Sequence, residues 1–297
     1  MNSAPSSVAP LGAGALILAG GSLGPVPFEE RLGAAVAGGF DGIGLSVAEY
    51  LRLRDEGYAV SQMREALDRH GLRLAELTVF TGFSAPDALV GTAPTPHLRY
   101  TDRQTEATFF EMAEAFGARH LQAVGTFGTD VLEEDAAERF AGLCDRAAES
   151  GLLVALEFVP TTNVPDAGVA QRVVAAAGRP NGGLCVDSWH HFRGRADDDL
   201  LRAMDPDRVI MIQLDDGPRS PQDPDFITDT VLNRLPPGEG DFDLTSFLRL
   251  LRGMGVQAPI SVEVLSADLR ARAAAEVATL LGDATRSVII ASTNPRT

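Results

Sequence analysis

The 297-residue chain has no lysine: all 25 basic residues are arginine, set against 41 Asp and Glu for a formal net charge of −16. That absence excludes Schiff-base aldolases, pyridoxal phosphate enzymes and phosphate-loop NTPases, each of which needs an ε-amine. With so few cations, non-specific binding to nucleic acid or to an anionic membrane surface is not expected either. Cysteine is nearly absent. Cys144 and Cys185 show no C-x-x-C spacing, so neither a disulfide framework nor a thiolate metal site is indicated. Their apolar contexts suit buried free thiols in a reducing compartment, although two cysteines could pair in an oxidising one. No apolar run approaches the ~20 residues that span a bilayer. The opening MNSAPSSVAPLGAG has no basic stretch before its apolar run, as a secretory signal would. A soluble, cytoplasmic protein is expected, with disordered ends at 1–10 and 292–297.

What is present is a repeated pairing of a short apolar run with an amphipathic helix. Candidate strands are 15–19, 42–46, 73–78, 120–124, 152–158, 183–187, 209–214 and 259–264. They are apolar throughout rather than alternating, which suits parallel strands covered on both faces. Between them run 3.6-period segments. One carries Val60, Met63 and Leu67 on one face and stops at Gly71; another carries Phe109, Met112 and Phe116, with Thr101 or Asp102 as its cap. Eight such pairs in this length make an α/β chain whose arithmetic is that of a single (β/α)8 TIM barrel over 11–291. A doubly wound open sheet is the other candidate, but no G-x-G-x-x-G follows the first strand. Two insertions, Thr81–Tyr100 and Asp215–Gly240, follow the third and seventh strands. Both fall at carboxyl ends of strands, where barrels build lids and specificity loops.

Polar residues break the apolar trend at the ends of the later strands: Glu157, Asp187, Gln213 with Asp215 and Asp216 beyond, and Glu263. Any one of them is readily an ordinary barrel-top residue paired with arginine. Four on consecutive strands converge near the axis, where their carboxylates repel unless protonated or neutralised by a cation. Such an oxygen-rich donor set suits one divalent cation, Mn²⁺ or Mg²⁺.

The stretches ALEFVP around Glu157, VDSWHHFRG around Asp187, MIQLDDGP around Gln213, RLPPGEGDFDL from Arg234 and ISVEVLS around Glu263 resemble the xylose isomerase-like barrel superfamily. That group includes D-tagatose epimerase, hydroxypyruvate isomerase, inosose dehydratase and 3-dehydroshikimate dehydratase. The resemblance implies a metal held by Glu157, Asp187, Gln213 and Glu263, with Glu157 and Glu263 also the acid/base pair. It implies that His190, three residues beyond Asp187, points at the substrate, and that Arg234 anchors substrate or supports the metal. His191 and Glu49 are further candidates for substrate contact, as is Glu76; for the two glutamates, rim or interior salt bridges serve equally well. Trp189 and Phe80 suit either an apolar wall or core packing. His70 suits a helix end, and His120 the stability face of the fourth strand. His97 lies in the first insertion and stays unassigned.

The chemistry implied is proton abstraction α to a carbonyl, with a metal-stabilised enediolate reprotonated elsewhere: an isomerase or epimerase of a sugar or polyol-like hydroxy-ketone. Gln213 stands where epimerases of the group commonly carry His, and QLDDGP with RLPPGEGDFDL is similar to the dehydroshikimate dehydratase branch. A metal-dependent dehydratase is therefore the alternative. A DNA-repair endonuclease needs a His-rich multi-zinc cluster and a positive surface, and five histidines in all with a net charge of −16 argue against it. A non-catalytic metabolite-binding barrel is the fourth reading. The partner is a small molecule, not nucleic acid or membrane, and a homodimer through the outer helices is the assembly such barrels commonly form.

Overall fold

The structure is a computed structural model that describes residues 11–128 and 131–293. Eight strands run in chain order: β1 (Leu16–Leu18), β2 (Gly42–Ser46), β3 (Arg73–Thr81), β4 (His120–Val124), β5 (Leu153–Glu157), β6 (Gly182–Asp187), β7 (Val209–Leu214) and β8 (Ile260–Val262). Each pairs in parallel with the next, and β8 returns to β1, closing an eight-stranded barrel. The TIM barrel expected from the sequence is thus present.

The helices are α1 (Phe28–Ala37), α2 (Val47–Asp55), α3 (Val60–His70), α4 (Arg103–Phe116), α5 (Glu133–Glu149), α6 (Ala167–Ala177), α7 (Ser188–Arg193), α8 (Asp198–Arg202), α9 (Phe226–Leu232), α10 (Leu244–Gly253), α11 (Ala267–Arg270) and α12 (Ala274–Thr293). Helix starts follow their caps. Asp102 rather than Thr101 caps α4, its carboxylate accepting from Thr105 N at 2.8 Å, and Asp243 caps α10 through Ser246 N at 3.0 Å. Gly71 ends α3 at φ 66°, in the left-handed region that glycine enters without a Cβ clash.

The main core lies between the strands' outer faces and the helices, where Leu32, Leu53, Phe109, Phe140, Val173 and Leu281 are all buried. The inner face differs. Period-two alternation turns His120, Gln122 and Val124 of β4 inward, and likewise Ala155 and Glu157, Cys185 and Asp187, Met211 and Gln213, and Ser261 with Glu263 just beyond β8. Only a small apolar cluster of Ala155, Cys185, Ile210 and Met211 plugs the lower barrel. The inner layers above it are polar, and this brings the chemistry to the axis.

Differences from the sequence reading are local. β3 continues to Thr81, and the last helix is split at residues 271–273 and then runs on to Thr293. The apolar stripe of Val277, Leu281 and Val288 carries it that far, so Ser292 and Thr293 belong to α12. Residues 1–10 and 294–297, the rest of the expected disordered ends, lie outside the described residues. No described helix is long and apolar enough to cross a membrane.

Candidate active site and metal centre

Asp187 is both the last residue of β6 and the cap of α7, its Oδ1 accepting from Trp189 N at 2.7 Å. One helical turn on, His190 comes back over the cap, and its Nε2 stands 3.6 Å from Asp187 Oδ2 and 3.4 Å from Glu157 Oε1. Glu157, Asp187 and His190 are buried, and each offers a ligand atom within 4.8 Å of the others. Glu157 Oε2 accepts from Gln122 Nε2 at 2.8 Å, while Glu157 Oε1 has no hydrogen-bond partner. An unpartnered acceptor on a buried carboxylate is what a cation would satisfy, so the donor set fits a divalent metal.

Glu263 reaches the same mouth from the end of β8. Its Oε2 is 3.3 Å from Arg234 Nη1, which also donates to the Glu263 carbonyl at 3.2 Å, to Asp187 Oδ2 at 3.2 Å and to Asp215 Oδ2. Arg234 Nε donates to Thr230 O, and the guanidinium lies over the Trp189 ring at 5.4 Å. Burial works against this cation, but Asp215, Asp187, Glu263 and Glu157 outweigh it and hold it protonated beyond the ordinary arginine range. The carboxyls shift too. Burial first, then Asp187 and Glu263, raises Glu157; burial, then Asp187, raises Asp215. Burial also raises Asp187, against the pull of Arg234. Burial pushes Glu263 up to about 7, Arg234 opposing and Glu76 and Asp215 adding to it. These are carboxylates short of positive charge.

Above the cluster is a cavity of about 230 Å³, lined by Glu157, His190, Arg234 and Glu263, by Gln122 from β4 and by Ser46 and Glu49 from the β2 end. Both insertions contribute: Leu98 from the first, Ile227, Thr230 and Val231 from the second. Tyr100, at the end of the first insertion, fixes Phe127 of the cavity wall, its hydroxyl accepting from Phe127 N and donating to Phe127 O. A larger groove of about 910 Å³ on the barrel flank, lined by Arg103, Glu106, Arg139 and Arg146, holds none of the strand-end carboxylates. Several of its charges pair with one another, Glu106 taking both Arg103 and Arg146 and Asp87 taking Arg139.

The structure thus brings together Glu157, Asp187, Glu263, His190 and Arg234, with Glu49 across the mouth. It does not bring in His191. A step of one helical residue is about 100°, and His191 faces Asp198 at 3.3 Å and the Phe247 ring instead, outside the cavity. Gln213 is fully buried, its Oε1 facing Cys185 Sγ at 3.3 Å and Gln122 Nε2 at 3.4 Å, while its Nε2 has no partner. In this orientation the amide oxygen is already engaged; the reversed amide would place it at the unpartnered position.

Glu76 lies inside the barrel below the cavity, accepting from Ser261 Oγ, with His120 Nε2 at 3.9 Å. Trp189 is fully buried and donates to Thr230 Oγ1, and Phe80 stacks on Phe109, so both serve packing. His97 is exposed and outside the cavity, and His70 contacts Ala66 O at the end of α3. Sequence reasoning missed Gln122, whose signal was a second polar residue, after His120, in an otherwise apolar strand. It also left Asp215 without a role, because only the fold shows that Arg234 returns to it.

A closed parallel barrel with a buried carboxylate cluster at its carboxyl-end mouth is a TIM barrel built around a candidate metal centre. The chain belongs to the xylose isomerase-like TIM barrel family, whose model matches residues 32–281. It is 30% identical over 160 residues to an inosose isomerase of Bacillus velezensis, covering 53% of this chain and 56% of that one. It is 26% identical over 245 residues to a 3-dehydroshikimate dehydratase of Pseudomonas aeruginosa, covering 82% of this chain and 37% of that enzyme. The chain thus spans just over half the length of the inosose isomerase it matches. Among solved structures, a protein called IOLI with a bound zinc atom superimposes with a TM-score of 0.79 at 20% identity, covering 93% of this chain and 98% of that one.

Proposed function

We propose that the chain is a divalent-metal-dependent isomerase or epimerase acting on a sugar or polyol-like hydroxy-ketone. The observation that carries this reading is the buried Glu157–Asp187–His190 cluster at the floor of a small cavity, with Glu157 Oε1 unpartnered. Glu157, Asp187 and Glu263, with Gln213, would hold the ion, which when bound supplies Lewis acidity to a substrate oxygen. The oxygen-rich set favours Mn²⁺ or Mg²⁺; the zinc of the IOLI structure makes zinc the competitor to test. Glu157 and Glu263 enter from β5 and β8, so one takes the proton α to the carbonyl and the other returns it from a different direction. A carboxyl held near 7, as Glu263 is, exchanges a proton readily at neutral pH. His190 and Arg234 orient substrate oxygens, and the apolar wall excludes water.

A second reading, a dehydratase of the 3-dehydroshikimate or inosose type, is favoured by the match across 82% of this chain to the Pseudomonas enzyme and by Gln213 on β7. The test is the metal content of the purified protein, followed by a screen of hydroxy-ketones with and without EDTA. Metal-dependent interconversion without new ultraviolet absorbance supports the isomerase; a conjugated or aromatic product supports the dehydratase. Absence of any bound or activating divalent metal would overturn both.

A further inference from the structure

Resting on the hydroxy-ketone reading, we infer that this pocket takes an uncharged substrate, and that the Glu49–Arg31 pair is what makes it refuse a carboxylate or phosphate. Among the described residues lining the cavity, Arg234 is the sole permanent cation, and its Nη1 is shared among Asp187, Asp215 and Glu263.

Two further cations flank Glu49 and neither lines the cavity: Arg52, whose Nη2 is 3.8 Å from Glu49 Oε1, and Arg31. Arg31 is 2% exposed; its Nη1 donates to the carbonyl of Gly20, which lines the cavity, and its Nη2 lies 2.8 Å from Glu49 Oε1. Glu49 is the member of the pair that lines the cavity, so an incoming ligand meets the carboxylate and not the guanidinium. β2, which leads to Glu49, is diametrically opposite β6 in the closed barrel, so a ligand held beside His190, which follows β6 and lines the cavity, presents its far end to Glu49. An anionic substituent there faces a like charge in a cavity that solvent ions screen poorly. The remaining wall suits a neutral ring: Val79, Leu98, Phe127, Ile227, Val231 and Leu265 can cover C–H faces, while the Ser46, Thr78 and Thr230 hydroxyls meet substrate hydroxyls. About 230 Å³ is below the roughly 300–1,000 Å³ of drug-sized sites, so the ligand is one small ring or a short chain.

Titration calorimetry on the full chain, with and without saturating Mn²⁺, tests this with two cyclohexane polyols, myo-inositol with six ring hydroxyls and quinate with four hydroxyls and a carboxylate. Wild type is expected to bind myo-inositol at least tenfold more tightly than quinate. Glu49→Gln leaves the Arg31 charge without its carboxylate beside the cavity and should raise quinate affinity at least tenfold relative to myo-inositol. The double variant Arg31→Met, Glu49→Gln should lose that gain, which separates freed charge from enlarged space. Quinate binding as tightly as myo-inositol, no binding of either, or a ratio unmoved by Glu49→Gln overturns the inference; if the single variant does not fold, the wild-type ratio decides. Binding is read without turnover, so a protein that discriminates but catalyses nothing ends the isomerase reading and leaves this one standing.

Discussion

The guanidinium of Arg234 lies 3.3 Å from the Glu263 carboxylate, tying the loop after β7 to the end of β8. The same nitrogen serves Asp187 and Asp215, so one cation holds three buried acids. Arg234→Met strands that charge, and breaking a buried pair from one side costs about 3–5 kcal/mol. Urea denaturation in EDTA should show a loss of that order, and saturating Mn²⁺ should stabilise the variant more than wild type. An unchanged midpoint would mean that the acids are neutral without Arg234.

Metal retention separates the cluster from the rest of the barrel interior. After dialysis against Mn²⁺ and then buffer, wild type should hold about one equivalent by elemental analysis. Glu157→Gln and Asp187→Asn should hold less than a tenth of that. Glu76→Gln, inside the barrel but below the cavity, should hold as much as wild type.

Cys144 and Cys185 are both buried, and burial pushes the Cys144 thiol up to about 12, Asp145 adding to it. Burial raises Cys185 as well, with Glu157 and Asp187 adding to it. Since the thiolate is the nucleophile, neither should react with a disulfide reagent at pH 8 in the native protein. Two thiols should appear once the chain is unfolded; a fast-reacting thiol in the native state contradicts this packing.

His120 is wholly buried, and burial lowers its pKa against the opposing pull of Glu76. Below pH ~6.5 the unfolded chain takes up a proton there that the folded protein does not. Stability from this group is therefore fully present above that pH and is lost as pH falls, by at most about 1.4 kcal/mol per pH unit. The raised carboxyls act in the opposite sense, because they gain protons on folding. The measurement is thus the difference between wild type and His120→Asn in EDTA from pH 7.5 to 5. The gap in unfolding free energy should narrow or reverse toward acid; a constant gap counts against a neutral buried His120.

Asp216 accepts from the backbone N–H groups of Gly217, Gly238 and Phe242, folding the RLPPGEGDF segment into its path beside the mouth. Asp216→Ala should cost about 1–3 kcal/mol for the donors it leaves unpaired. Hydrogen exchange should speed up at residues 236–242 while the barrel strands stay protected.

The barrel was legible because its signal is local. Each strand is an apolar run buried on both faces, and β2, β4 and β7 fall where the run-lengths place them. The carboxylates at strand ends were legible for the same reason, since a charge in an apolar strand has few uses other than chemistry. Side-chain direction is another matter. His190 and His191 are neighbours of identical type, and only the three-residue spacing from Asp187 favoured the first; the 100° turn of α7 sends one to Glu157 and the other to Asp198. Nor does the chain show that Arg234, which reads alone as a surface arginine, closes back on Asp187 forty-seven residues earlier.

The lack of lysine by itself excluded amine chemistry, and the surplus of acid pointed to carboxylates. Composition and periodicity then determined the barrel, because burial of alternating elements is set by short-range pattern. Only the tertiary structure decided which acids meet, that Arg234 is spent among them, and that Arg31 stands behind Glu49 rather than before it. Those are contacts between strands and loops far apart in the chain, whose energies depend on distance and desolvation, and neither exists until the barrel closes.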